Sequence, residues 1–387
     1  MSNTMLLQSS ITPAFRLLIQ AIRITDKDTA VKEVEQTLRN NELDWEDLLK
    51  KARIHFIEPQ LEELLKLLNT KIIPEFVSEK LKESNRDNLL RQLRNISAFF
   101  EIEKLLKERN INIIPFKGFW LASEMYGDIA KRYSSDVDLF FDIMDFDKVF
   151  NLMISHGFRP ETYSTPQYLK KVKRESAEYN FEKYDREDKI LHFEFHWKMG
   201  SSFHCMGISI NDLSSQIVSG QLNGKEIKVF TPSANLLLTV MHHGGKDPFV
   251  RLKHVLDIGY LLQKDIDWEW VLIMAKRFDI EKLIYLAVSL SNVFVGTEVP
   301  PVLLNKTESN EIKKLTGNRI EAILKTHGME GNTGYYYDRL VFQLTSRTRF
   351  LVKLCLVVMN IKAFIFQKVL PERVKRVYLR KRFGIFT

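Results

Sequence analysis

Ser135-Asp136-Val137-Asp138-Leu139-Phe140-Phe141 is the stretch whose reading decides the fold. Its β-branched and aromatic residues suit a buried strand, entered from a loop at Arg132-Tyr133-Ser134. Side chains two apart in a strand point to the same face, so Asp136 and Asp138 stand side by side off one face. Two carboxylates this close repel each other unless a cation lies between them. A divalent ion with oxygen ligands, such as Mg²⁺, suits them. The same spacing also fits an edge strand carrying two ordinary solvated acids.

Upstream, Ile111 to Phe116 reads as a short buried strand, followed by Lys117-Gly118 and a helical run from Phe119 to Tyr126 that Gly127-Asp128 breaks. A glycine where a strand meets a helix lets the backbone approach a ligand, and the helix start offers N–H groups to a phosphate; a plain turn is the simpler reading. Lys117 as a point charge and Arg132 as a fork both suit phosphate oxygens. Downstream, Asp145 to His156 reads as a helix ended by Gly157. Glu178 to Tyr184 and Lys189 to Trp197 read as a hairpin around the polar turn Asp185–Asp188, and Gly224 to Val229 adds another hairpin arm. Leu191, Phe193 and Phe195 alternate with His192, Glu194 and His196, so one face is apolar and the other carries a carboxylate between two imidazoles. If this strand lies beside that of Asp136 and Asp138, Glu194 becomes a third acid. Three acids can hold two metals that clamp a phosphoryl group. A zinc site on His192 and His196 is a further reading, with no cysteine close by. The order strand, helix, strand, helix, strands predicts an α+β fold: a small mixed sheet with helices on one face.

The flanks read as helical. Phe15, Leu18, Ile19 and Ile22 share one helical face, as do Leu61, Leu64, Leu65 and Leu68, and Asn88 to Arg109 forms a longer amphipathic helix. Helical patterning returns at Ser233, a candidate cap for Ala234 to His243, and continues through Lys253–Lys264, Trp268–Phe278 and residues 282–387. The expected regions are an N-terminal helical one at 1–87, a core at 88–232 and a C-terminal helical one at 233–387. Met241-His242-His243-Gly244-Gly245-Lys246-Asp247, with Arg251, Lys253, His254 and Asp257, places histidines and cations where they could close over a triphosphate. The same residues suit capping and surface roles, and they faintly resemble metal-dependent phosphohydrolases of the His-Asp type.

The chain has 387 residues, an apolar fraction of 45% and a charged fraction of 27%, which excludes a disordered or collagen-like chain. The net charge of +8 sits largely at Arg373, Lys375, Arg376, Arg380, Lys381 and Arg382. The rest is close to balanced, so no specific nucleic acid is expected as a partner. The basic tail suits either solvation or a weak peripheral contact with anionic membrane lipid. Cys205 and Cys355 do not make a disulfide framework. With no signal-peptide pattern and with Lys353, Lys362 and Lys368 interrupting the apolar run Phe350–Leu370, the expectation is a cytoplasmic protein.

Taken in order, the run Ile114 to Gly127, then Arg132 through Asp136-Val137-Asp138-Leu139, then Glu194-Phe195-His196-Trp197, His242-His243 and Arg251 to Ile258 resembles a family of bacterial nucleotidyltransferases in the DNA polymerase β-like superfamily. The resemblance covers roughly Leu89 to Phe278. It implies a metal-dependent enzyme that moves a nucleoside monophosphate from NTP to a hydroxyl acceptor, a small molecule or a protein, and releases pyrophosphate. It implies Mg²⁺ or Mn²⁺ held by Asp136, Asp138 and Glu194, the last holding metal or deprotonating the acceptor. Gly118 would let the triphosphate approach, Lys117 and Arg132 would neutralise it, and Ser135 would contact a phosphate. His196 would orient Glu194 or the acceptor, and Lys246 and Arg251 would stand on the nucleotide's other wall. The superfamily's usual Gly-Ser or Gly-Gly turn is here Lys117-Gly118 followed by Phe119, so the serine contact is missing and Lys117 stands in for it. The alternative is a catalytically weak or inactive nucleotide-binding or regulatory module of the same fold, for example a toxin–antitoxin component or an accessory protein of polysaccharide assembly.

Overall fold

The computed structural model describes residues 11–25, 27–40, 43–68, 72–162, 164–200, 207–325 and 333–364. Helices α1 (Pro13–Ala21), α2 (Lys27–Asn40), α3 (Trp45–His55), α4 (Glu58–Leu67) and α5 (Glu75–Lys107) come first. Then follow β1 (Ile114–Pro115), α6 (Gly118–Met125), β2 (Val137–Phe140), α7 (Phe146–Ser155), β3 (Arg159–Pro160), α8 (Pro166–Glu175), β4 (Glu178–Asp185), β5 (Asp188–His196), β6 (Lys198–Met199), β7 (Ile208–Ser209), β8 (Ile217–Leu222) and β9 (Lys225–Phe230). The chain continues with α9 (Pro232–Val240), α10 (Leu252–Leu261), α11 (Trp268–Arg277), α12 (Glu281–Val295), α13 (Leu304–Thr307), α14 (Asn310–Leu324), α15 (Thr333–Thr345) and α16 (Phe350–Phe364). No helix among the described residues is long and apolar enough to cross a membrane. The basic tail at 373–382 lies outside the described residues. Cys355 lies on α16, and Cys205 lies outside the described residues.

The described residues fall into two compact units that interleave along the chain. One draws on 1–92, 121–134 and 232–346, the other on 93–120, 135–231 and 347–387.

The first unit is helical. Thr12 caps α1 by accepting from the Phe15 N–H, and Pro13 occupies the first turn, where its missing donor does no harm. His55, fully buried, accepts the Leu252 N–H through Nδ1 at 3.2 Å, so one imidazole satisfies the start of α10. Amide side chains of α5 hold the irregular segment at 130–134 by its carbonyls: Asn88 donates to Ala130 and Arg132, and Gln92 donates to Arg132 and Ser134. After α9 the chain widens into a π-helical turn over Met241–Lys246. Ser233 lies in the first turn of α9, and its hydroxyl accepts the Asp267 N–H at 2.8 Å.

The second unit contains a mixed five-stranded sheet in the order β1-β2-β5-β4-β3. Strands β2 and β5 run parallel, and the remaining neighbours are antiparallel. The expected strand at 111–116 is reduced to Ile114–Pro115, but the Phe116 N–H still donates to the Asp138 carbonyl at 2.9 Å. The hairpin β4–β5 forms as the alternation predicts, turning through Arg186-Glu187. β8 and β9 make a separate hairpin around Asn223-Gly224, both at positive φ (49° and 75°), a pairing that two-residue hairpin turns favour.

Alternation gives the sheet two chemically different faces. Leu139, Phe193, Phe195, Tyr179 and Phe181 are buried on one face. There Phe146 packs edge-on against Tyr179 and the neighbouring Trp197, and Phe150 packs at a tilt against Tyr179 and Phe181, at centroid distances of 5.6–5.9 Å. The opposite face carries Asp138, Glu178, Asn180, Glu182, His192, Glu194 and His196.

Candidate active site

The parallel register of β2 and β5 sets Asp138 directly beside Glu194. Both side chains belong to the polar face, and His196, two residues further along β5, joins them. Ligand atoms of Asp138, Glu194 and His196 all lie within 4.8 Å of one another. His196 Nε2 is 3.1 Å from Asp138 Oδ1 and 3.5 Å from Glu194 Oε2, while Nδ1 is 3.1 Å from Glu178 Oε2. One imidazole therefore stands among three carboxylates. Asp136 immediately precedes β2, half-buried, and the Asn95 amide donates to its carbonyl at 3.5 Å.

The turn after β1 completes this group. Lys117 (φ 55°) and Gly118 (φ 46°) both sit in the left-handed region, which a lysine seldom adopts. That bend places Lys117 Nζ 2.9 Å from Asp138 Oδ1, with 7% and 2% of the two side chains exposed.

The charges respond to one another. Burial alone would raise Asp138, but the Lys117 ammonium and the His196 hydrogen bond prevail and hold its carboxyl well below the usual range. Glu194 goes the other way: burial raises it, and the charges of Asp138 and Asp136 add to the rise against the His196 hydrogen bond. Burial would lower His196, yet hydrogen bonds to Asp138, Glu178 and Glu194 carry it well above its ordinary value.

Asp136, Asp138, Glu194, His196, Lys117, Gly118 and Ser135 thus all belong to the second unit, with Ser135 exposed at the entrance to β2. Arg132, Lys246 and Arg251 belong to the first unit. There the Arg132 guanidinium, 2% exposed, makes a fork with Asp257 at 2.8 and 2.9 Å. Asp257 also accepts from the Tyr126 hydroxyl at 2.6 Å and from His243 Nε2 at 2.9 Å. Burial would raise Asp257; Arg132 and His243 hold it well below the carboxylate range. The His243 ring stacks on His254 at 4.3 Å. Arg251 lies over the Phe56 ring at 4.6 Å, and Lys246 ends the π-helical turn.

Two features escape sequence reasoning. Glu178, the carboxylate on the far side of His196, gives no local signal, because only the β4–β5 register brings it there. His192 joins Glu161 and Glu182 in a second group whose ligand atoms lie within 4.8 Å of one another. Among the described residues, His192 and His196 therefore stand in different groups.

The carboxylates of Asp138 and Glu194 and the His196 imidazole form a group of ligand atoms able to hold a cation, and its oxygens suit a hard divalent one. The left-handed Lys117-Gly118 turn adds positive charge beside them.

Comparison with curated proteins finds no match. Among solved structures, the lincomycin-bound lincosamide antibiotic adenylyltransferase LnuA is similar at 16% identity and a TM-score of 0.30, covering 42% of this chain and 94% of that one. A family model described as uncharacterised nucleotidyltransferase matches residues 41–296, more than half of the chain. The chain belongs to this family of nucleotidyltransferases.

Proposed function

We propose that this nucleotidyltransferase moves a nucleoside monophosphate from NTP to a hydroxyl acceptor, using the acids of β2 and β5. The observation that carries the reading is the parallel pairing of Asp138 with Glu194, which joins acids 56 positions apart on one polar face. Asp136, Asp138 and Glu194 would hold Mg²⁺ or Mn²⁺. Such an ion supplies positive charge to phosphoryl oxygens as the α-phosphorus is attacked.

The chain's own residues do the rest. The acceptor oxygen bonds to the α-phosphorus, the bond from that phosphorus to the oxygen bridging the β-phosphate breaks, and pyrophosphate leaves. Glu194 either helps to hold the cation or takes the hydroxyl proton as the acceptor oxygen attacks. Gly118 gives the triphosphate room, Lys117 neutralises it, and Ser135 donates to a phosphate. His196 fixes the orientation of Asp138 and Glu194.

The test is incubation with α-labelled ATP, CTP, GTP or UTP and Mg²⁺ or Mn²⁺, with small-molecule and protein acceptors. The expected result is pyrophosphate release and labelled product, both reduced about a hundredfold or more in Asp138→Ala. Nucleotide binding with no pyrophosphate release for any nucleotide and acceptor would favour the regulatory-module alternative.

A further inference from the structure

We infer that Lys117 is a built-in counter-ion of Asp138: it competes with divalent cations for that carboxylate until a triphosphate draws its ammonium away. The inference rests on the metal-dependent reading above and concerns the order in which its parts assemble.

The geometry is specific to one oxygen. Asp138 Oδ1 meets both Lys117 Nζ at 2.9 Å and His196 Nε2 at 3.1 Å. A cation that approaches this carboxylate meets the charge of Lys117 at the same atom. With both partners nearly excluded from solvent, water screens that repulsion weakly.

The ammonium is nevertheless on a four-carbon stem rooted in the Lys117-Gly118 turn. It can swing without moving β2, whose backbone is fixed by its pairing with β5. A triphosphate carries several negative charges against the single one of Asp138, so it outcompetes the carboxylate for Lys117. Once the lysine turns to the phosphates, Oδ1 keeps its His196 contact but loses the ammonium charge that repels a cation. Triphosphate and cation then favour each other's binding, and the coupling is reciprocal.

The test measures Mn²⁺ binding without nucleotide, by calorimetry, in the wild type, Lys117→Met and Lys117→Arg. Lys117→Met should bind Mn²⁺ at least tenfold more tightly than the wild type. Lys117→Arg, which keeps the charge, should stay within about threefold of the wild type. In EDTA, inorganic tripolyphosphate should bind Lys117→Met at least tenfold more weakly. The opposite signs for cation and anion separate this role from a merely structural one. An unchanged or weakened Mn²⁺ affinity in Lys117→Met overturns the inference while leaving the metal-dependent reading in place. Mn²⁺ bound by none of the three proteins overturns that reading, and the inference with it. Should Lys117→Met fail to fold, the wild type supplies the second measurement. Saturating Mn²⁺ should speed acetylation of Lys117, read by mass spectrometry, and an unchanged rate overturns the inference.

Discussion

Asp257 accepts hydrogen bonds from Tyr126, from Arg132 twice and from His243, all inside the first unit. A carboxylate can accept that many donors, whereas an amide in its place has one accepting oxygen and no charge. The guanidinium of Arg132 is 2% exposed, so it cannot turn to water instead. Asp257→Asn keeps the volume but leaves this cation buried beside a neutral amide. The expected loss is about 3–5 kcal/mol of unfolding free energy, read as a lower urea midpoint with an unchanged slope. Arg132→Lys should also destabilise, because an ammonium cannot reproduce the two parallel bonds of the fork. A midpoint unchanged in Asp257→Asn would show that the network adds nothing to stability. None of this was legible locally: Arg132 carries the look of a phosphate ligand, and its partner lies 125 positions away.

Packing between elements turns on single atoms as well. Gly259 lies on α10 against α12, where an added Cβ would come within 2.7 Å of Val295 Cγ1 and 3.2 Å of Ser291 Oγ. Glycine inside a helix is unfavourable relative to alanine, so its presence here marks the close approach of two helices. Gly259→Ala should therefore destabilise, by about 1–3 kcal/mol, instead of giving the usual gain in helix propensity. Val295→Ala removes the obstructing methyls and should recover part of that loss. A double-mutant cycle that shows strict additivity would contradict the contact. Helix and hairpin patterns were readable because they depend on neighbours: the alternation of Leu191 to His196 set the faces of β5, and the polar turn set its pairing with β4. The parallel pairing of β2 with β5 left no such trace, since its register is fixed by packing between residues far apart in sequence. Sequence could name Glu194 as a conditional third acid, and only that register sets it beside Asp138. β8 was missed for a similar reason: Val218, Ser219, Gly220 and Gln221 show weak alternation, and Gly220 lies so close to Val229 and Trp120 that a Cβ would meet them at 2.7–3.1 Å.

Over the whole molecule, two buried histidines respond to pH with opposite sign, one in each unit. His254 is held well below its ordinary value by burial and by the charges of His243, Arg251 and Lys253. In the unfolded chain it takes a proton near pH 6.5, so between that pH and its folded value the unfolded state binds more protons. Its contribution to stability is complete above about pH 6.5 and is lost as pH falls. Asp257, held below its ordinary value, adds to this only below about pH 4, where the unfolded carboxyl protonates. His196 is shifted up by Asp138, Glu178 and Glu194 against the effect of burial. Its contribution is complete below about pH 6.5 and is lost as pH rises through its folded value. Hydrogen exchange, corrected for the intrinsic pH dependence of amide exchange, reads the two regions separately. Lowering the pH from about 7.5 to 5 should reduce protection across α10, Leu252–Leu261, and leave that of β5 near His196 intact. Raising it from about 6 to 9 should weaken protection in β5 and spare α10. The contrast should vanish on the α10 side in His254→Gln, which has no ring to protonate. If both segments lose protection in the same direction in the wild type, the opposed shifts of the two histidines are wrong.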